Sequence, residues 1–243
     1  MRLQIGMMLI LMSLACGCAS PMRLSARSWD VMRPDGTASV RAFVVTDESL
    51  PRDAYESVAL CVLPAGDDPT DSLEDLAGAC AAGCELLMVA RPVSDESRVD
   101  DHLLVLRRYL DERKQPARSV IVIGMRGGDA VATTIANREA RVTHLALLDP
   151  WHTPNVPQPT FIAVSGNWTT EAPPPANATV RYYPIFNDHL REYGSGRTVR
   201  PLIEMDLIAW LTETGALTNE RAVALSKRVK NAHREWYAVD RRD

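Results

Sequence analysis

A strand-like run, Ser119-Val-Ile-Val-Ile-Gly124, leads through Gly124-Met-Arg-Gly-Gly128 into a helix-like stretch that opens at Asp129. A glycine-flanked turn of this kind exposes its central residue at the mouth of a cleft, and the pattern G-x-S-x-G sets a nucleophilic serine there. Here the central residue is Arg126. A guanidinium keeps its proton at any workable pH, so it is neither a nucleophile nor a general base. Its chemistry is recognition: two parallel hydrogen bonds grip a carboxylate or a phosphate. The free N–H groups of the following helix end favour the same anions. Gly127, with an N–H from Ala65-Gly66, supplies a candidate pair of donors for a negative oxygen. Arg126 also has acids within reach along the chain, Asp129 and Asp149, and pairing with either would close the cleft instead.

Other residues supply the types an acid, a base and a hydroxyl nucleophile require. Asp149 ends the apolar run from Val142 to Leu148, His152 follows in the next loop, Ser165 ends Thr160-Phe-Ile-Ala-Val-Ser165, and His189 stands just past Ala178 to Phe186. His102 and His233 fall on helix-like stretches and His144 inside a strand, where a histidine is a hydrogen-bonding structural residue. Outside the first 18 residues the cysteines are Cys61, Cys80 and Cys84. They allow one bridge and one free thiol, contain no C-x-x-C and form no Cys/His cluster at zinc spacing. Neither a metal nor a cofactor is expected.

The elements that position these residues follow from periodicity. Ser28 to Met32 and Ser39 to Val45 flank Pro34-Asp-Gly, whose proline and glycine set the angles of a tight turn, which predicts a hairpin. Ser57 to Leu63 is apolar throughout, as in a strand covered on both faces. A helix is expected over Asp71–Ala82, a strand over Glu85–Ala90, a helix over Val99–Arg113 with Leu103, Leu104, Leu106 and Leu110 inward, then the run to Ile123. A helix over Asp129–Arg138 and strands over Val142–Leu148, Thr160–Ser165 and Ala178–Phe186 continue the pattern. Helices over Val199–Thr214, with Ile203, Leu207, Trp210 and Leu211 on one stripe, and over Asn219–Tyr237 complete it. Alternation of this kind predicts an α/β fold, a mostly parallel sheet with helices on both faces, whose functional residues lie past the carboxyl ends of the strands.

A hairpin followed by alternating strands and helices, with a glycine-flanked turn after the central strand, resembles the α/β-hydrolase fold. In that family a nucleophile sits on the turn after the fifth strand, an acid follows a later strand and a histidine follows the last. The resemblance maps these places onto Arg126, onto Asp149 or Asn167 with Asp149 preferred, and onto His189. It implies a hydrolase-like scaffold that lacks the nucleophilic serine and binds a small anionic ligand or a protein partner through Arg126, Gly127, Gly66 and His152. The alternative it implies is an ester or amide hydrolase with a non-standard nucleophile, Ser165, served by His189 and Asp149.

Length and composition fit one ordinary folded domain: 243 residues, 46% apolar, 24% charged and a net charge of −4. That balance gives no footprint for nucleic acid. Near the N-terminus, Arg2 precedes an apolar run from Ile5 to Ala15, about half of the ~20 residues a membrane span requires, so it reads as a signal peptide. Ala15-Cys-Gly-Cys18 resembles the bacterial lipobox, with Cys18 as the acylated residue. The expected organisation is a signal over 1–17, a tether over 18–24 and a single domain over 25–243 with an extra C-terminal helix. The expected setting is the bacterial cell envelope, lipid-anchored and facing the periplasm or the exterior.

Overall fold

The computed structural model describes residues 24–36, 38–48, 55–64, 84–90, 95–165, 173–183 and 200–232. Eight strands form one sheet: β1 (Leu24–Met32), β2 (Ser39–Asp47), β3 (Ser57–Val62), β4 (Cys84–Val89), β5 (Ser119–Met125), β6 (His144–Leu148), β7 (Thr160–Ser165) and β8 (Ala178–Tyr183). Their spatial order is β1-β2-β4-β3-β5-β6-β7-β8. β1 pairs antiparallel with β2, and β2 antiparallel with β4. From β4 onward every pairing is parallel. The helices are α1 (Asp95–Glu112), α2 (Asp129–Arg138), α3 (Arg200–Glu213) and α4 (Asn219–Ala232), with a 3-10 turn, Arg126–Gly128, between β5 and α2. The helix expected over Asp71–Ala82 lies outside the described residues.

Continuous apolar strands need cover on both faces, and they have it. Val58, Leu60, Val62, Val120 and Val122 pack with Leu103 and Leu106 of α1 and Val131 and Ile135 of α2. Ala59, Cys61, Ile121 and Ile123, the alternate residues, pack with Ile203, Leu207, Trp210 and Leu211 of α3 and Leu225 and Val229 of α4. The stripe expected on α3 is therefore the buried one. On α1 the inward set is Val99, Leu103, Val105 and Leu106, whereas Leu104 and Leu110 are only half-buried.

The hairpin turn is built as its sequence requires. Gly36 takes φ 71° and donates its N–H to the Arg33 carbonyl at 2.9 Å. Arg33 then fastens the hairpin to α1 through a two-pronged bond to Asp101 at 2.8 and 3.0 Å. Cys61 and Cys84 are buried free thiols. Burial pushes the Cys61 thiol far up, and that of Cys84 up to about 12.

Candidate functional site

The site lies past the carboxyl ends of β3, β5, β6 and β7. Two glycines decide how closely β5 meets α2. A Cβ on Gly124 would stand 2.8 Å from the Ala132 Cβ and 2.9 Å from the Leu147 Cδ2, and one on Gly128 would collide with the Val62 carbonyl oxygen. Larger residues would push the helix off the sheet.

Between those glycines the backbone is relaxed. An exposed nucleophile on such a bend sits in a strained backbone, commonly at positive φ. Arg126–Gly128 is instead a 3-10 turn, right-handed, and Gly128 at φ −85°, ψ −6° passes straight into α2. Among the described residues the non-glycine with positive φ is Asp149, at 55°, the residue that ends β6. Aspartate tolerates that left-handed region better than most residues.

Asp149 and Ser165 meet. The Ser165 hydroxyl donates to Asp149 Oδ1 at 3.1 Å, and both residues are buried at the ends of neighbouring parallel strands. Asp149 is further tied into the sheet by its N–H, which donates to the Ala163 carbonyl at 2.8 Å.

A second carboxylate, Asp129, organises the other half of the site. It opens α2 and is 1% exposed. Its Oδ2 accepts the backbone N–H of Trp151 at 3.0 Å and of His152 at 2.7 Å, and it lies 3.0 Å from His152 Nδ1. Its Oδ1 is buried with no hydrogen-bond partner among the described residues. A proton on Nδ1 satisfies that contact and leaves Nε2 of the exposed imidazole as an acceptor. The same two backbone bonds hold Trp151 in place. Its indole lies over Gly127, where an added Cβ would come within 3.0 Å of the ring.

The sequence candidates thus separate. Asp149 and Ser165 come together, and His152 and Gly127 face the same region through Asp129 and Trp151. His189, Asn167, Gly66 and Cys18 lie outside the described residues, as does the side chain of Arg126, whose backbone forms the turn. Asp129 was legible as the first residue of a helix, a position acids favour for its positive end, and as an acid near Arg126 along the chain. Nothing in the sequence announced His152, 23 residues on, as its partner. His144 and His102 are structural: His144 packs edge-on against Trp210, and His102 Nδ1 lies 2.6 Å from the Arg98 carbonyl, buried on α1. Burial holds His102 down at about 4. Tyr183 is buried too, and its hydroxyl donates to Asp206 at 2.6 Å.

Neither a family model nor a curated protein matches the chain by sequence. Solved structures match it by shape. An esterase of Pyrococcus furiosus superposes with a TM-score of 0.60 at 6% identity in one crystal form, over 78% of this chain and 90% of that one. In a second form the TM-score is 0.53 at 10% identity, over 79% and 91%. A bacterial heroin esterase gives 0.51 at 13% identity, over 93% and 90%. The likeness is one of architecture, carried by the strand order, the antiparallel hairpin and the tight passage from β5 to α2: the chain has the α/β-hydrolase fold.

Proposed function

We propose that the chain is a membrane-anchored protein of hydrolase fold that binds a small anionic ligand or a protein partner at the inherited crevice, without covalent catalysis. The observation that carries this reading is the turn after β5. Its centre is an arginine in a relaxed right-handed turn, where the esterases' fold would present a nucleophile. Gly127 lies beneath an indole, and the Ser165 hydroxyl is buried and committed to a carboxylate. An arginine at this position and the N–H groups of a helix start would give anions two kinds of donor. A scaffold of this kind stripped of its nucleophile retains at most about 10³ to 10⁴ over water.

One observation favours a second reading. Ser165 on Asp149 supplies a hydroxyl and a carboxylate in contact, and an ester or amide hydrolase using Ser165 with His189 as base would build on that pair. A fluorophosphonate probe decides between the two. The binding reading expects no labelled residue in the native protein. Covalent labelling mapped to Ser165, abolished by Ser165→Ala, would establish the hydrolase instead.

A further inference from the structure

The course of the chain beyond β1 limits how the crevice can face a membrane. Leu24 pairs with Asp47, and Val45 with Leu86, so β1 starts at the end of the sheet where the parallel strands β4, β3 and β5 also start. The crevice is at the opposite end. Ser28, Phe43, Met88, Cys61 and Ile123 share one level across the register, and the crevice loops begin two residues higher. From Leu24 that is a climb of ~20 Å at the usual rise per residue. Four inter-strand steps separate β1 from β5, a lateral offset of ~19 Å.

Residues 19–23 are all that separates Cys18 from Leu24. Fully stretched, that segment spans at most ~20 Å. Two offsets at right angles add to more than the tether can reach. The acyl chains of Cys18 therefore cannot be brought to the crevice mouth, and the tether would have no slack left even to turn the molecule over.

We infer that the pole where the parallel strands begin lies against the headgroup layer of the membrane, and that the crevice opens into the aqueous phase and takes a water-borne ligand. This rests on the membrane anchoring proposed above, taken through the lipobox Cys18. The membrane-side pole is suited to that contact. A cleft of about 540 Å³ on the flank that rises from it is lined by the cations Arg27, Arg113 and Lys114, the acids Glu85 and Glu112, and the rings of Trp29 and Tyr109. Trp29, which stands at the level of Val62 and Gly124, meets Tyr109 edge-to-face at 5.8 Å on the flank above that pole. Arg27 and Lys114 are exposed beside them. Each such cation is attracted to anionic headgroups by about 1 kcal/mol near the surface.

The test uses the full acylated chain in vesicles of phosphatidylcholine and phosphatidylglycerol that carry a headgroup nitroxide. A fluorophore is attached at Gln115→Cys on the membrane-side pole or at Ala130→Cys on the exposed first turn of α2, in a Cys80→Ser background. Quenching is expected at 115 and lost at 130. Inserting about 20 Gly/Ser residues after Cys18 adds roughly 25 Å of reach and should abolish the difference. Equal quenching with the native tether, or stronger quenching at 130, overturns the orientation. Intact mass of the membrane-bound protein separates the failures. A chain without acyl groups on Cys18 sinks the anchoring and this inference together, whereas an acylated chain quenched at 130 sinks the orientation alone.

Discussion

Asp129 and Asp149 are both aspartates past the carboxyl ends of the strands, yet they act on different partners. Asp149 accepts a hydroxyl and holds a left-handed backbone, so it shapes the end of β6. Asp129 accepts two backbone N–H groups and contacts an imidazole, so it holds the loop after β6 down on α2. Bonds to a charged acceptor contribute about 1.5 to 3 kcal/mol each, less where the donors regain water. Asp129→Ala is therefore expected to lower the unfolding free energy by about 2 kcal/mol and to speed exchange of the Trp151 and His152 amide protons. Denaturant titration and hydrogen exchange measure both, and unchanged exchange at those amides would refute the role. If Arg126 is the anion-binding group, Arg126→Gln should weaken an anionic ligand by about tenfold or more while leaving the denaturant midpoint in place, since one lost charge-assisted bond is worth that much. The place of Arg126 in the turn after β5 was legible from its spacing alone. The clasp between Asp129 and His152 was not, because it depends on two strand ends meeting in space.

The passage from β5 to α2 decides the geometry at the next scale. Gly128 sits where any side chain would strike the Val62 carbonyl, so Gly128→Ala is expected to cost about 2 kcal/mol or more through forced separation of strand and helix. Gly36→Ala, in open space at φ 71°, should cost about 1 kcal/mol from backbone strain alone. A pair of thermal melts ranks them, and a smaller loss at Gly128 would contradict the packing argument. Most elements were legible because alternating burial on two faces writes itself into the sequence as apolar runs. Their ends were less so. β5 continues to Met125 since Gly124 still pairs with Val62 and Leu147, although glycine reads as a break. α1 begins at Asp95, four residues before the first inward Val99, because a helix starts with a polar turn that carries no periodic signal. β6 begins at His144 rather than Val142, whose N–H turns back to the Glu139 carbonyl.

Across the whole molecule, burial and ion pairing together set the response to acid. His102 is held neutral at about 4 against its ordinary 6.5, so its share of stability is complete above pH 6.5 and lost as pH falls through about 4. Burial pushes Glu139 up, but hydrogen bonds from Arg141 and Arg107 outweigh it and hold the carboxyl at about 2 against an ordinary 4.5. Its share is complete above pH 4.5 and lost as pH falls through about 2. Stability is therefore expected to decline in two stages on acidification, and Glu139→Gln should flatten the lower one. Urea midpoints from neutral pH to pH 3 show this, and a midpoint that rises with acid would contradict both assignments. Cys61 and Cys84, buried and raised, should ignore a thiol reagent until the chain unfolds.

Trp151 gives the crevice an optical property of its own. The ring is 70% exposed although its edge rests on Gly127, so water surrounds most of an intrinsic chromophore at the place where a ligand would dock. Occupancy should shift its emission to shorter wavelength, and subtracting the spectrum of Trp151→Phe would isolate that signal from the other tryptophans. A ligand screen on this chain then needs neither a dye nor a known substrate.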